Sequence, residues 1–565
     1  MHRVHARRAA RTAATTSFLF APEPRTIGVI ARGQQLIVGN FLFSGLLVKA
    51  PNRSIWDIAP DNETVEDEIQ GCAWLDDLAA LGDERARERA QSWVFEWINR
   101  YGDGRGSGWT PDLVGRRLIR WINHSQFLLH RQEQTAADRL LQSLAQQTLF
   151  LSRRWKTTAP GLRRFEALSG MIYAGLSLDG MEHHVDRAVS ALAHDCDTQI
   201  DAEGAIATRN PEELLEILSL LHWTIQSLAD AGHKLPPQLI GAVERITPTL
   251  RAIRHADGGL ARFHGGGRGI EGRLDAALAA SGVKTLPEPR LYMGYARLAG
   301  GRTSVIADAA APPSGQASAD AHASTLAFEL TSGRRPVIVN CGSGARFGDA
   351  WRRASRATPS HSTMMIEGVS SSHLAAKDRL TGSSELLTDL PTRVQGRVVD
   401  GETGRKLELS HNGYQPTHGL THARILQLSV DGRALEGEDL LTTLDPTDEA
   451  ICDKALAIAG IPYVLRFHLH PDVDASLDHS ATTVRLTLKS GEVWRFRHDG
   501  TAKLSLAPSI YLQNGRLKPL AAQQVVLSGH AIAYATRVRW LLAKAQDTPN
   551  AVRDLVQTDP LDAVD

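Results

Sequence analysis

AHASTLAFELTSGRRPVIVNCG, residues 321–342, is the stretch from which the fold can be read. Leu326, Phe328 and Leu330 alternate with smaller or polar residues. SGRR then offers a turn, and PVIVN resumes an apolar run, so the spacing predicts a strand hairpin. Its ends are polar: His322 opens it and Asn340 closes it, and SHS, with His361 at its centre, follows about twenty residues on. A hairpin needs neither polar end, whereas a metal site or the floor of an active site could use both.

Outward from this hairpin toward the C-terminus the period-two pattern repeats. TTVRLTLKS (482–490) sets Val484, Leu486 and Leu488 against Arg485, Thr487 and Lys489. STMMIEG, RVQGRVV, RKLELS, ARILQLSV, YVLRFHLH, EVWRFRH and KLSLAPSIYL read the same way. About a dozen short strands punctuated by NG, DG and SG turns predict a large antiparallel sandwich.

Toward the N-terminus the period changes. DERARERAQSWVFEWINRYG places Asp83 as an N-cap and Ala86, Ala90, Trp93 and Trp97 on one helical face. PDLVGRRLIRWINHSQFLL starts on Pro111, and apolar-periodic segments follow over roughly 134–157, 161–179, 183–199, 210–232 and 236–255. Brief connections imply antiparallel neighbours, an array of α-hairpins. A glycine-rich crossing, with RFHGGGRG at 262–269, joins the two halves. The expected organisation is a leading arm (1–69), a helical domain (70–290) and a sandwich (291–565).

The bulk numbers exclude several classes. At 565 residues the chain is too long for one core. Sixty-three basic side chains balance sixty-three acidic ones, so no global field recruits nucleic acid or an anionic membrane. Cys72, Cys196, Cys341 and Cys452 form no CxxC pair and suit burial as small apolar residues. The basic start lacks the apolar core of a signal peptide. LIVGNFLFSGLLV (36–48) is too short for a transmembrane segment. The expectation is a cytoplasmic chain, or one whose export signal lies upstream. GxSxG, HExxH and GxxxxGK[ST] do not occur, and no GxGxxG is seen after a strand.

The two-part arrangement, with the AHASTLAFELTSGRRPVIVNCGSG and WRRASRATPSHSTMMIEG blocks, resembles the heparinase II/III family of polysaccharide lyases. The resemblance implies an incomplete α/α toroid followed by an antiparallel β-sandwich, with an acidic, uronate-containing polysaccharide in the cleft between them. It also implies cleavage by β-elimination and residence in the cell envelope or periplasm, with the cytoplasm as the alternative. That chemistry needs the uronate carboxylate neutralised, a base for the C5 proton and an acid for the leaving oxygen.

By the same resemblance His322 and His361 match two histidine ligands of a divalent metal, zinc or calcium, and Asn340 falls where an acid is usual. An amide is a weaker ligand than a carboxylate. Asp320 stands where members often carry a histidine. Ser169-Gly170-Met171 replaces an expected Asn-His pair, with Tyr173 the nearest hydroxyl. Glu212 and Glu213 stand where a tyrosine is expected.

ATRNPEELLE reads first as an Asn210 cap with Pro211 in the first turn and acids at the positive helix end. The functional reading gives Arg209 and Asn210 the substrate carboxylate and Glu213 a proton transfer. His264 in RFHGGGRG is a general-base candidate between Arg262 and Arg268; the alternative is a flexible crossover. Arg352 and Arg356, with Arg353, form a basic cluster that suits a polyanion or a solvated face. Trp109, Trp121 and Trp155 suit sugar stacking or core, and the pair His468 and His470 lacks a third ligand. Three functions follow: a lyase, a catalytically degenerate glycan-binding relative in envelope polysaccharide handling, and a hydrolase with paired carboxylates. The sequence is silent on oligomeric state.

Overall fold

Helices form wherever the apolar period of the N-terminal half is capped. Asp83 accepts from the Ala86 N–H and starts Glu84–Tyr101, whose Ala86, Ala90, Trp93, Val94 and Trp97 are buried. Pro111 starts Pro111–Asn123; Gln134–Arg154, Leu162–Ser177, Val185–Gln199, Pro211–Asp230 and Pro237–Ala252 follow as antiparallel neighbours. This is a computed structural model, and it describes residues 1–545 apart from 13–15, 21, 61, 286, 376–384, 402–403 and 457–459. The expected sandwich segment 546–565 lies outside the described residues.

The toroid packs around tryptophans. Trp97 meets Trp121 edge-on at 5.3 Å, and Arg117, fully buried, lies 4.0 Å from the Trp97 ring centre. Trp109, Trp121 and Trp155 are all buried, so of their two readings, sugar stacking and core, the helical core is the one that describes them. Pro111–Asn123 and Leu162–Ser177 cross at a glycine contact. A Cβ on Gly170 would lie 2.4 Å from the Gly115 Cα, so Ser169-Gly170-Met171 builds a helix crossing. The apolar run at 36–48 ends a short helix and forms the hairpin Asn40–Phe43 with Leu46–Lys49. Among the described residues no helix is long and apolar enough to cross a membrane.

From Tyr295 onward the chain is strand-rich and antiparallel. One sheet runs in the order Lys503–Tyr511, Leu520–Ala531, Ile461–Leu469, Arg335–Val339, Phe328–Ser332, Thr303–Asp308, Tyr295–Gly300, with Met364–Ile366 also pairing to Ile461–Leu469. The second runs Val394–Gly401, Gly404–Tyr414, Leu420–Ser429, Ala434–Thr442, Ala535–Lys544, Val493–His498, Thr483–Leu488, Val473–Leu477. Val484, Leu486 and Leu488 face inward, as their alternation requires. Phe328 and Phe467 of the first sheet meet Trp540 of the second at 5.7 and 4.8 Å, joining the sheets through aromatic rings. The quoted hairpin is Phe328–Ser332 paired with Arg335–Val339.

Candidate functional site

The strand Thr303–Asp308 is buried at all six positions, and Asp308 at its end is the centre of the junction between helices and sandwich. Arg209, in the loop before helix Pro211–Asp230, reaches it: Nη2 donates to Asp308 Oδ1 at 2.5 Å and to the Gly294 carbonyl at 3.0 Å. Nε donates to Met293 O at 3.0 Å, and Nη1 to Ala310 O and Ala311 O at 3.3 and 2.8 Å. Each guanidinium nitrogen is thus engaged within the chain. The Tyr295 hydroxyl donates to the Arg209 carbonyl at 2.5 Å, and its ring lies 4.8 Å from the guanidinium. Ser324 Oγ donates to Asp308 Oδ2 at 2.7 Å. Burial pushes the Asp308 carboxyl up, but Arg209 and His264 outweigh it and hold it below the usual carboxylate range.

His264 Nε2 stands 3.4 Å from Asp308 Oδ2, close enough for electrostatic contact but without an aligned hydrogen bond. Its Nδ1 accepts from the His322 backbone N–H at 3.2 Å. Burial pushes His264 below the usual imidazole range against the pull of Asp308. Four non-glycine residues around Asp308 take positive φ: Arg209 (51°), His264 (47°), Met293 (50°) and Leu326 (63°). Such strain persists only where surroundings over-determine the backbone. Here a buried ion pair and the sheet edge do so.

His322 Nδ1 and His361 Nε2 face each other at 3.0 Å, and His361 Nδ1 contacts the Ala357 carbonyl at 3.0 Å. Both are buried: burial, with repulsion from a second imidazolium at His361, pushes His322 well down, and burial pushes His361 down to about 4. Asn340 Oδ1 accepts from the Ser362 N–H at 3.0 Å, while Nδ2 is buried without a partner. The expected metal set therefore forms a hydrogen-bonded imidazole pair beside an amide. Two ligands of tetrahedral zinc at ~2.0–2.1 Å would stand about 3.3 Å apart. Among the described residues no group of three His, Cys, Asp or Glu side chains is placed to hold a metal ion. His322 and His361 would be the two imidazole ligands of such an ion, with Asn340 a weak third donor, and no step below runs through a metal.

Arg262 is turned inward as well, donating through Nη2 to Glu329 Oε1 at 3.3 Å and to Asn340 O at 2.9 Å, with its guanidinium 4.3 Å from the Tyr511 ring centre. Asn210 caps its helix through the Glu212 and Glu213 N–H groups. Glu213 accepts from Thr208 Oγ1 at 2.7 Å, and burial pushes its carboxyl up. The glycine loop is docked on this helix start: the Gly267 N–H donates to Glu212 Oε2 at 2.7 Å, and a Cβ on Gly266 would lie 2.5 Å from Asn210 Oδ1. That contact corrects the reading of a flexible crossover.

Arg356 is buried and spent on the carbonyls of Ala321, Ser318 and Glu385, which corrects its placement on a solvated face. Arg352 pairs with Asp320 at 2.9 Å. Arg268 is half-exposed beside Asp257 at 3.4 Å. Tyr173 is apart from the junction, inside Leu162–Ser177, where burial pushes its phenol up to about 12. His468 contacts Ser509 Oγ and the Pro359 carbonyl, at 2.7 and 2.9 Å. The junction brings together Arg209, Asn210, Glu213, His264, Arg262, His322, Asn340 and His361. The reading from sequence missed Asp308, Glu329 and Tyr295; an acid inside the apolar runs TSVIAD and FELTS was the available signal.

The model of the heparinase II/III-like C-terminal domain matches residues 287–541. FtsZ-localized protein C of Caulobacter vibrioides is 30% identical over 531 residues, covering 93% of this chain and 89% of that protein. The crystal structure of heparinase III superposes with a TM-score of 0.69 at 14% identity, over 95% of this chain and 88% of that one. A heparan sulfate lyase HepC mutant from Pedobacter heparinus gives 0.58 at 15% identity, over 97% and 88%.

Proposed function

Because the chain belongs to the heparinase II/III-like family, with a toroid followed by a β-sandwich, we propose that it is a non-cleaving member that keeps the two-lobed frame for recognition. The single observation carrying this is Arg209. A cation that neutralises a uronate must offer free donors, and its three nitrogens are spent on Asp308 and four carbonyls. His264, His322 and His361, the proton-transfer candidates beside it, are all at most 3% exposed. The ligand this reading favours is an acidic, uronate-containing polysaccharide bound on the frame without being cut. The Caulobacter relative is named for its localization with FtsZ, and this reading gives the present chain the same localization.

The competing reading is β-elimination, with Arg209 and Asn210 on the substrate carboxylate, Arg262, Arg268, Arg352 and Arg356 along the polyanion, and Glu213 or His264 as base. The raised Glu213 carboxyl favours it, because burial brings that group toward the range of a general base. Incubation with a panel of uronate polymers separates the two. β-Elimination leaves a double bond conjugated to the uronate carboxylate, which absorbs in the ultraviolet. The expected outcome is no absorbance change, with retarded migration of the protein in gels containing a bound polymer. A rise in absorbance that is lost in Glu213→Gln or His264→Ala would replace this proposal with the lyase.

A further inference from the structure

A second cluster of arginines stands along the same boundary. A cavity of about 560 Å³ is lined by Arg251, Arg254, His255, Asp275 and Arg297, with apolar walls that include Leu278 and Pro287. It lies where helix Pro237–Ala252 ends, between helix Arg273–Ala280 and strand Tyr295–Gly300. Arg297 follows Tyr295 by two residues on that strand, so both side chains leave the same face. Tyr295 reaches the Asp308 junction, and Arg297 reaches the cavity.

The partners of these arginines differ from those of Arg209. Arg297 Nη1 donates to the carbonyls of Ala252 and Arg254 at the helix end, and among the described residues no carboxylate pairs it. Burial and the neighbouring Arg254 lower its basicity to about 10. Arg254 has one acid, Asp275, at 2.7 Å, and its Nε is buried without a partner. Arg251 donates to the Thr285 and Val283 carbonyls. His255 is turned away to Ser304 and Glu329. Three guanidinium groups therefore face one carboxylate. The carbonyl end of Pro237–Ala252 attracts Arg297 and opposes an anion, but its partial charge is about half an electron, less than the two uncompensated positive charges. These arginines are partly buried, and partly desolvated cations short of counter-ions are costly to keep together.

We infer that this cavity is a binding site for a small oxyanion-bearing molecule of about sugar size, with Arg254 and Arg297 gripping a phosphate-type group and Leu278 and Pro287 against its carbon frame. Guanidinium forks suit tetrahedral oxyanions, and the lining favours a doubly charged group. The site goes beyond the glycan-recognition proposal and stands whether or not that proposal holds.

The test is calorimetric titration of the full chain with inorganic phosphate, glucose 6-phosphate and glucuronate, at matched ionic strength. Phosphate and glucose 6-phosphate are expected to saturate, with the sugar phosphate tighter; glucuronate, singly charged, is expected to be weaker. Arg297→Gln and Arg254→Gln should each weaken glucose 6-phosphate by about tenfold or more, one good ionic contact. Ala279→Glu, on an exposed helical position of the lining, should do the same without touching a packed residue. Asp275→Asn should tighten it, since the internal competitor for Arg254 is removed. Absence of saturation by either phosphate compound overturns the inference. So does unchanged affinity in Ala279→Glu together with Arg254→Gln, or glucuronate binding tighter than both phosphates.

Discussion

Two arginine clusters line the boundary between toroid and sandwich, and they have opposite electrostatic histories. At the Asp308 junction a carboxylate with no exposed surface takes Arg209, four carbonyls take its other donors, and strained backbone holds the arrangement. At the Arg297 cavity the guanidinium groups outnumber the acids, and one buried Nε has no partner. What matters for binding is the supply of acceptors around an arginine. A filled cation is a structural clamp, and an underfilled one is an invitation to an anion.

Removing the acid of the filled cluster should produce the largest effect. Asp308→Asn leaves Arg209 buried with a neutral partner, and breaking a buried pair from one side costs about 3–5 kcal/mol. The drop should appear in the urea midpoint. Asp308→Asn combined with Arg209→Gln should recover part of it, because no uncompensated charge remains. A midpoint shift below that expected for about 1 kcal/mol would break the contrast, because the junction would then be no clamp.

Acid should loosen the same cluster. His361 is held near 4 in the folded chain against about 6.5 unfolded. Between those values the unfolded state binds more protons, so stability is fully present above about pH 6.5 and is lost as pH falls toward 4. The shift corresponds to about 3 kcal/mol. Denaturant midpoints measured across this window should fall with acid, and His361→Gln should flatten the slope. Arg297, lowered only to about 10, stays charged across this window.

Much of this frame was legible in the sequence. Period two around Val484, Leu486 and Leu488 fixes which side of a strand is inside, and the Asp83 and Asn210 caps fix helix starts; these are local patterns with local causes. His322, Asn340 and His361 stand out in the sequence as polar residues around an apolar hairpin, and the fold places them near one another. What escaped was partnership. Nothing near Arg209 in sequence announces Asp308, ninety-nine residues away along the chain. Nothing near Arg297 announces the lack of a counter-ion. A cation's availability depends on long-range contacts, so ATRNPEELLE shows its Asn210 cap plainly but leaves its functional reading, a carboxylate grip, open although Arg209 is occupied.

Gly266 sharpens the comparison by steric means. A Cβ there would meet the Asn210 side chain at 2.5 Å and the Phe263 carbonyl at 3.2 Å, with Asn210 already committed to two helical N–H groups. Gly266→Ala should therefore cost about 1–3 kcal/mol, the usual range for overpacking. A neutral result, read by thermal unfolding, would mean the glycine loop is not pressed onto the helix start.

The smallest expected effect is the most discriminating. Arg297→Gln removes one positive charge, as Asp308→Asn removes one negative charge. If burial alone governed the outcome, the Arg297 change should be costly. Arg297 is instead a partly buried cation that no carboxylate pairs among the described residues, repelled by Arg254, and glutamine can still donate to one of the two helix-end carbonyls it now serves. Removing an uncompensated charge relieves a desolvation penalty while losing charge-assisted bonds worth about 1.5–3 kcal/mol gross. The two oppose each other, so the unfolding midpoint should move by no more than about 1 kcal/mol in either direction, while affinity for glucose 6-phosphate falls. A large loss of stability in Arg297→Gln would make this arginine a second clamp, and the distinction between filled and underfilled cations would fail.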